Sequence, residues 1–413
     1  MASTVTAEPC TSMSERLSRP LLDHGSGADA ISILHYENEV PSFVGAEMSR
    51  LYESLYSSLT QLRLDSGLDK VSTYVVRRGS EIVTVFLYRK EGRLLKVMNE
   101  VIRIAHDDIG RFADYVFATF NEVQVISFCA IQTDVSRLRY SNQRLDYLED
   151  IVATLPGDAD EYLANLGKKT RSNLRRYLKM IKQDFPSFRF DAYENGAVEE
   201  EHIREIMAMY GRKMAVKNKS FVILEVEIQR LIQLATANGL VGVVTIDGRV
   251  CAGTIACRVG DNFFLRILTH DADFNKYSLG TLCCYLTIAE SIRRGAREFH
   301  FLWGESEYKY LLSGVRRDLD YVAVFRSRLQ LLLNADLAMK AGLRFVKRKA
   351  ARWLQRARKQ DNFSARLAVK TLNLLRSVQA AKLAVLGLCT SELGCRLEAW
   401  TLTTHSASSG ILG

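Results

Sequence analysis

Residues 265–309, LRILTHDADFNKYSLGTLCCYLTIAESIRRGAREFHFLWGESEYK, decide the fold of this chain. Apolar residues recur at helical spacing in the middle of this stretch, and shorter apolar runs lie on either side. The pattern predicts, in order, a strand over 263–269, a polar turn over 270–280, an amphipathic helix over 281–294, a strand over 298–303 and a loop ending at Tyr308 and Lys309. The predicted inner face of the helix comprises Leu282, Tyr285, Leu286, Ala289 and Ile292.

The turn into this helix, residues 278–281, is a candidate anion-binding site. A strand-to-helix turn leaves the first backbone N–H groups of the helix unpaired at the positive end of its dipole, which suits a pyrophosphate. Gly280 would let such a ligand approach the backbone closely.

This order of elements resembles the core of the GNAT acyltransferase superfamily, whose pyrophosphate loop reads R/Q-x-x-G-x-G/A. More narrowly, YSLGT at 277–281 and IAESIRRGAREFHFLWGESEYKY at 288–310 resemble CelD-like acyltransferases, which are related to the FemABX aminoacyl transferases. KKTRSNLRR at 168–176 resembles a further run of that family. Within the loop, Asn275 stands where Arg or Gln is usual, and Ser278 where Gly is usual.

Composition predicts a soluble globular protein of two or three domains, with 413 residues, 47% hydrophobic and 25% charged. No stretch approaches the ~18 uninterrupted apolar residues of a membrane span. Residues 1–29 predict a disordered leader and no secretory signal, so we expect a cytoplasmic protein. Eight cysteines and seven histidines form no metal-ligand pattern, so no metal is expected.

The net charge of +9 belongs to the C-terminal tail. Residues 326–413 hold 16 Lys and Arg against 4 Asp and Glu, whereas residues 1–325 hold 40 against 43. We predict a basic helical tail over 327–400, followed by a disordered end over 401–413. Its segment 337–359 has nine basic residues, no acid and interleaved apolar residues. It either lies on the inner face of a membrane as a peripheral contact or packs on its own domain.

The remaining chain shows the same order of elements twice. The first half has a helix at 49–64, strands at 71–77, 82–88 and from 94, a helix at 107–120 and a strand at 123–131. The second half has helices at 199–216 and 225–238, then strands at 240–246, 250–259 and 263–269. Glycine turns between successive strands indicate antiparallel meanders.

This repetition predicts an α/β (α+β) fold of tandem GNAT-like domains, with mixed, mostly antiparallel sheets flanked by helices. The FemABX-like families share such a double architecture. We place a degenerate N-terminal domain at 30–155 and the acyltransferase domain at 156–326. The first copy carries Asp107 and Asp108 where the second has its glycine turn, and these carboxylates would repel a pyrophosphate. The first copy is therefore predicted to form a wall of the acceptor cleft.

The resemblance implies the residues that bind acyl-CoA. Arg266, Ile267 and Leu268 on the central strand would hold the pantetheine arm. The loop residues implied to bind the pyrophosphate are Asn275, Lys276, Tyr277, Ser278, Leu279, Gly280 and Thr281.

The candidates for proton transfer in acyl transfer from a thioester are His300, Glu305, Glu307, Tyr308 and Tyr310. Of these, His300, Glu305 and Tyr308 are the predicted catalytic residues. His300 stands where the family usually has Asp, and its imidazole titrates near neutral pH, which suits a base. The alternative for His300 is a packed, hydrogen-bonded histidine. Tyr308 would protonate the leaving thiolate, or else it is a packing aromatic residue.

Substrate contacts are predicted at Trp303, Lys309, Arg171 and Arg175. Lys309 matches the family's Tyr-Lys pair and would contact an anionic acceptor or a cofactor phosphate. Residues 168–183 hold seven Lys and Arg and no acid. That segment is either a solvated helix face or a surface for an anionic ligand.

The leading interpretation is an N- or O-acyltransferase that uses acetyl-CoA or another acyl-CoA. Its acceptor would be an amine or hydroxyl, for example on a sugar or a cell-surface polymer precursor. A first alternative is a FemABX-like transferase that uses aminoacyl-tRNA, and it requires a basic groove for RNA. A second is a catalytically degenerate GNAT fold that serves as a binding protein.

Overall fold

The computed structural model describes residues 30–217 and 222–334, in which one sheet of 13 strands is flanked by helices. The strands are β1 (Ile31–Tyr36), β2 (Ser72–Arg78), β3 (Glu81–Glu91), β4 (Leu94–Val97), β5 (Ile102–Arg103), β6 (Val125–Gln132), β7 (Ser141–Thr154), β8 (Arg189–Glu194), β9 (Gly239–Ile246), β10 (Arg249–Val259), β11 (Asn262–His270), β12 (Glu298–His300) and β13 (Val315–Phe325). The helices are α1 (Val44–Tyr52), α2 (Leu59–Ser66), α3 (His106–Thr119), α4 (Ala159–Asn165), α5 (Lys168–Asp184), α6 (Glu200–Lys217), α7 (Glu225–Asn238), α8 (Leu279–Arg293), α9 (Glu307–Leu311) and α10 (Arg328–Leu333).

The two halves repeat one pattern, which confirms the predicted fold class. In each half an antiparallel meander leads through a helix to a strand that pairs in parallel. The first half has β2 to β4, α3 and β6, and the second has β9 to β11, α8 and β12. The order across the sheet is β1-β2-β3-β4-β6-β13-β7-β12-β11-β10-β9-β8.

The last strand of each half pairs with the other half. β7 comes from the first half and pairs with β12, whereas β13 comes from the second half and pairs with β6. β7 and β13 also pair with each other along the whole of β13. This exchange joins the halves into one sheet and brings side chains of β7 to the end of β12. The domain limits at 155 and 326 stay a prediction.

Helix α8 is buried more widely than its sequence pattern predicts. Leu282, Ala289 and Ile292 are buried as expected, but Tyr285 and Leu286 are only partly buried. The buried face also includes Cys283, Cys284 and Ile288, because α4 and α5 cover the helix on the side away from the sheet. This packing fixes where the helix begins relative to β11.

Two predicted elements are shorter than expected. The helix predicted over 49–64 is broken, because Glu53 adopts a left-handed backbone with φ of 44° and Ser58 caps a new helix, α2. The strand predicted over 298–303 ends at His300, and Leu302 then adopts a φ of 59°.

The predicted leader at 1–29 and nearly all of the tail, from residue 335 onward, lie outside the described residues. Within the described ranges, no helix is long and apolar enough to cross a membrane. In the same ranges, no group of three or more His, Cys, Asp or Glu residues is placed to hold a metal ion.

Candidate active site

A slot opens in the sheet where β11 and β12 separate. The two strands pair in parallel from Asn262 and Glu298 to Phe264 and His300. Beyond that point β12 ends, whereas β11 continues to His270 and pairs only with β10 among the described strands. The free edge of β11 therefore offers backbone N–H and C=O groups to a ligand, at the place where the sequence predicts the thioester.

The slot has two chemically different faces. Side chains of β11 alternate between the faces of the sheet. Phe263 and Leu265 pack with α8, and we call this face the α8 side. Phe264 packs with Tyr56 of the first half, and we call that face the Tyr56 side. Tyr56 of the first half thus lies beside the slot, and the first half as a wall of the acceptor cleft stays a prediction.

A β-bulge separates the three residues predicted to hold the pantetheine arm. Ile255 pairs with Ile267 and Ala256 with Leu265, so Arg266 is the extra residue between them. Alternation from Phe264 places Arg266 on the Tyr56 side, where it donates a hydrogen bond to Tyr56. The bulge changes the alternation after it, so that Ile267 packs with α6 and α7. Leu268 packs partly buried on the α8 side. The side chains of these three residues therefore have different environments. What the residues share is backbone at the edge of the slot.

Gly280 makes room for a histidine in this structure. Helix α8 begins at Leu279, after Ser278 with a φ of 48°. A Cβ on Gly280 would lie 2.6 Å from Nδ1 of His270, at the end of β11. The prediction that Gly280 serves close approach of a ligand is therefore revised, since the imidazole already occupies the space beside it. Thr281, in the same helical turn, is partly buried.

Positive side chains surround the start of α8. Nζ of Lys213, on α6, lies 3.5 Å from Nδ1 of His270, and Nε2 of His270 lies 2.9 Å from Oδ1 of Asn275. The exposed Lys276 pairs with Asp184 at 3.5 Å. Lys213 and His270 thus bring positive or polar groups to a loop in which Asn275 replaces the usual Arg or Gln.

The remaining loop residues are structural. Tyr277 is 1% exposed, and its hydroxyl donates a hydrogen bond to Oδ2 of Asp184 at 2.5 Å. Leu279 is fully buried in the core around α8. Their side chains hold the loop against α5, which leaves backbone groups as the parts available to a ligand.

Helix α5 presents a basic face next to this loop. Six of its basic residues are exposed, and none of them forms an ion pair within the described part of the chain: Lys168, Lys169, Arg175, Arg176, Lys179 and Lys182. Arg171 is partly buried and donates a hydrogen bond to the carbonyl of Ala164. A hydrogen bond with Ser278 lowers the pKa of Tyr177 and links α5 to the start of α8.

His300 lies on the Tyr56 side and contacts two carboxylates. Its Nδ1 lies 2.6 Å from Oδ2 of Asp150 on β7, and its Nε2 lies 3.4 Å from Oε2 of Glu298. The ring stacks on Phe264 at 4.2 Å and is 6% exposed. Burial by itself lowers the pKa of His300, but Asp150 and Glu298 outweigh it, so the pKa is raised.

Lys309 is buried inside the protein. It lies in α9 rather than in a loop and is 2% exposed. Its ammonium donates hydrogen bonds to the carbonyls of Phe301 at 2.9 Å, Leu302 at 3.1 Å and Trp303 at 2.8 Å. Burial lowers the pKa of Lys309 to about 8. The predicted contact with an anionic substrate is revised, because all three N–H donors already hold the loop after β12.

The other predicted residues of this loop have different environments. Trp303 packs against Tyr56 with ring centroids 5.0 Å apart. Glu305 pairs with Arg316 at 2.8 Å. Tyr308 lies on the α8 side, with its ring perpendicular to that of Phe301 at 6.1 Å.

The Tyr308 hydroxyl keeps its proton and has no hydrogen-bond partner in the part of the chain that the structure describes. Burial raises the pKa of Tyr308 well above its usual value. Among the described residues, the hydroxyl forms no hydrogen bond. A phenol of this kind can donate its proton to a ligand that reaches it.

Sequence reasoning missed Tyr56, Asp150, Lys213 and His270. Tyr56 and Asp150 belong to the first half, and only the exchange of β7 and the packing of the halves bring them to the slot. No motif marks them in the sequence. His270 could have been found from the sequence, because it directly follows the strand predicted over 263–269 and opens the polar turn that contains Gly280.

Comparisons with known proteins identify one family model and several solved structures to which this chain is similar. Residues 168–310 match the family model described as an acetyltransferase (GNAT) domain. The crystal structure of FemX is 9% identical, covers 71% of this chain and 98% of its own, and has a TM-score of 0.54. L-PGS from Bacillus licheniformis has 14% identity, coverages of 74% and 97% and a TM-score of 0.44. A tandem GNAT protein from the clavulanic acid biosynthesis pathway has 11% identity, coverages of 71% and 98% and a TM-score of 0.39.

No curated protein sequence matches the chain. The CelD-like resemblance stays a prediction, since no comparison identifies that type. Residues 168–310 are similar to a GNAT acetyltransferase domain, and the chain has a fold similar to that of FemX.

Proposed function

We propose that this protein is an acyltransferase that moves an acyl group from acetyl-CoA or another acyl-CoA to an amine or hydroxyl acceptor. The observation that carries the proposal is the slot between β11 and β12 inside the matched GNAT domain. The start of α8 lies at one end of this slot, and a buried His–Asp pair lies beside it. The acceptor would be, for example, a sugar or a cell-surface polymer precursor.

We assign a different proton transfer to each of the two faces of the slot. On the Tyr56 side, Nε2 of His300 takes the proton of the attacking amine or hydroxyl, while Asp150 accepts the hydrogen bond from Nδ1–H and fixes the tautomer. A bond forms from the acceptor to the thioester carbon, and backbone N–H groups at the edge of β11 stabilise the oxyanion. On the α8 side, the carbon–sulfur bond breaks and Tyr308 donates its proton to the leaving thiolate.

A second candidate function is transfer of an aminoacyl group from tRNA. The six exposed, unpaired basic residues of α5 favour it, because RNA binding rests largely on contacts to phosphates. Activity with aminoacyl-tRNA and none with acyl-CoA would establish this alternative. In either case we propose a cytoplasmic protein, and contact of its basic tail with a membrane stays a proposal.

Acyl-CoA binding at the start of α8 provides the direct test. We expect isothermal titration calorimetry to show binding of acetyl-CoA, and Thr281→Asp to weaken it by about 10-fold, since the new carboxylate faces the pyrophosphate at a helix N-terminus. Gly280→Asp is less suitable, because its Cβ would displace His270. Thr60→Asp is the matched control, a partly buried threonine in the first turn of α2.

Two results would contradict this assignment. Absence of heat with the native protein at millimolar acetyl-CoA and other acyl-CoAs would contradict acyl-CoA transfer and leave transfer from aminoacyl-tRNA or a binding protein. Equal affinity in Thr281→Asp and Thr60→Asp would place the cofactor elsewhere.

The His300–Asp150 pair predicts a pH profile. The neutral imidazole is the base, and its pKa is raised, so kcat/KM should rise with pH through a midpoint above 6.5. The same shift stabilises the folded state below pH 6.5, and that contribution is lost as pH rises through the folded-state pKa. Asp150→Asn should lower the plateau and move the midpoint to lower pH.

The control for this profile is Asp191→Asn, on the distant edge strand β8. A midpoint in Asp150→Asn that equals the midpoint of the wild type would show that His300 is a packed histidine, which was the alternative from the sequence.

A further inference from the structure

Arg266 is a charged residue with too few partners for its position. Its Nη1 donates a hydrogen bond to the Tyr56 hydroxyl at 2.9 Å, and the guanidinium lies 5.7 Å from the Tyr56 ring centroid. Within the described residues it makes no other hydrogen bond and no ion pair. Four of the five N–H donors of the guanidinium therefore have no protein acceptor there.

The surroundings of Arg266 are mostly apolar. Its partner Tyr56 is 6% exposed, packs against Trp303, and shares a cluster with the buried Phe264 and Leu302. Charges in such places are normally paired, because desolvation of an unpaired charge is costly. Burial by itself lowers the pKa of Arg266, but Tyr56, Cys257 and the nearby carboxylate of Asp65 outweigh it, so the pKa is raised. Asp65 also accepts a hydrogen bond from Gln61 at 2.6 Å. Arg266 itself is partly exposed, so its remaining N–H donors are accessible to a ligand.

The position of Arg266 connects that ligand with the acceptor. Arg266 is the extra residue of the β-bulge in β11, two positions beyond the last residue paired with β12. Arg266 lies on the Tyr56 side, where His300 also lies, and not on the α8 side, where α8 and Tyr308 lie. A group bound to Arg266 therefore lies on the face from which the acceptor would attack. The resemblance had implied that Arg266 holds the cofactor arm.

We propose that Arg266 binds an oxyanion group, a carboxylate or a phosphate, of the acceptor substrate. This inference rests on the proposed function and narrows its acceptor to an anionic amine or alcohol. The planar guanidinium fork matches both oxyanions through two parallel hydrogen bonds. Tyr56 holds the fork from behind, and so the first half of the chain supplies part of the specificity.

The wild-type protein itself allows a direct binding test. We would follow the arginine Nε–Hε signals of the 15N-labelled full chain by NMR during separate titrations with glutarate and with inorganic phosphate. The Arg266 signal is identified by its loss in Arg266→Lys. We expect this signal to shift and saturate with one of the two anions, which also decides between a carboxylate and a phosphate. The exposed Arg63 serves as the internal control.

An Arg266 signal that does not move, or that moves in parallel with Arg63 without saturating, would overturn the inference. The latter result would indicate nonspecific attraction of anions only.

A kinetic comparison tests the same site during catalysis. Acceptors are used in pairs that differ only in the oxyanion, an amino acid against its amide and an amino sugar phosphate against the amino sugar. Arg266→Lys keeps the positive charge and removes the fork. We expect it to raise KM for the charged member of the preferred pair by about 10-fold or more, with little change for the neutral member. Equal effects on both members would contradict the assignment.

The two tests separate the inference from the proposed function. Saturable anion binding at Arg266 without transfer from any acyl-CoA would keep the oxyanion site and refute acyl-CoA transfer. Acyl transfer with an Arg266 signal that does not shift, and with no preference for charged acceptors, would keep the proposed function and refute the oxyanion site.

Discussion

Lys309→Met is expected to lower the free energy of unfolding by about 3 kcal/mol or more. Methionine has a similar length and no hydrogen-bond donor, so the carbonyls of Phe301, Leu302 and Trp303 would lose the ammonium that they share. With a pKa of about 8, Lys309 is mostly charged at neutral pH and donates all three hydrogen bonds. Thermal unfolding should show the melting temperature falling by roughly 5–10 °C.

Lys276→Met is the matched control for this variant. Lys276 is exposed; its ammonium forms a 3.5 Å ion pair with Asp184 and lies 4.6 Å from the Tyr277 ring centroid. Its replacement should change the unfolding free energy by about 1 kcal/mol or less. The first interpretation, contact with an anionic substrate, makes the opposite prediction. It requires Lys309→Met to melt like the wild type and to raise KM for the acceptor.

The elements of the fold follow from the sequence wherever local signals agree. The helix over 225–238 and the strands on either side of Asp247 and Gly248 lie where the periodicity and the glycine turn place them. These signals need only a few neighbouring residues, because they reflect alternation, helical spacing and turn conformation. The break at Glu53 was missed because its left-handed backbone has no glycine to mark it.

The pairing of the last strands could not be predicted in this way. Asp150 and His300 are 150 positions apart and meet only because β7 pairs with β12 of the other half. The sequence shows two similar halves, and local periodicity gives no information on which half receives each final strand. A distant residue such as Asp150 therefore becomes visible only with the topology of the sheet.

Residue roles were harder to predict than residue positions. Lys309 lies beside the slot, but the sequence does not reveal that Leu302 adopts a left-handed backbone in the loop whose carbonyls hold the ammonium. Gly280 is likewise at the predicted turn, yet the ring that fills the space beside it is His270. In both cases a protein group takes the place assigned to a ligand, and a motif match cannot distinguish the two.

Tyr308→Phe is expected to lower kcat by about 10- to 100-fold, an effect of the size that a general acid supplies. The ring packs on Phe301 and stays in phenylalanine, so only the hydroxyl is lost. Since that hydroxyl bonds no described residue, the melting temperature should not change, which separates a chemical role from a packing role. Single-turnover measurements with a saturating acyl-CoA would ensure that chemistry limits the rate, with Tyr310→Phe, 43% exposed, as the control.

The dependence of this effect on the leaving thiol provides a stricter criterion. A thioester whose thiol has a low pKa needs less protonation as it leaves, so the loss in Tyr308→Phe should shrink with an activated thioester. A packing residue would show the same loss with every thioester, since it acts on position and not on proton transfer. An unchanged kcat with acyl-CoA would remove Tyr308 from the chemistry. Of the remaining candidates, Glu305 is already paired with Arg316, so the acid would have to be sought first at His300.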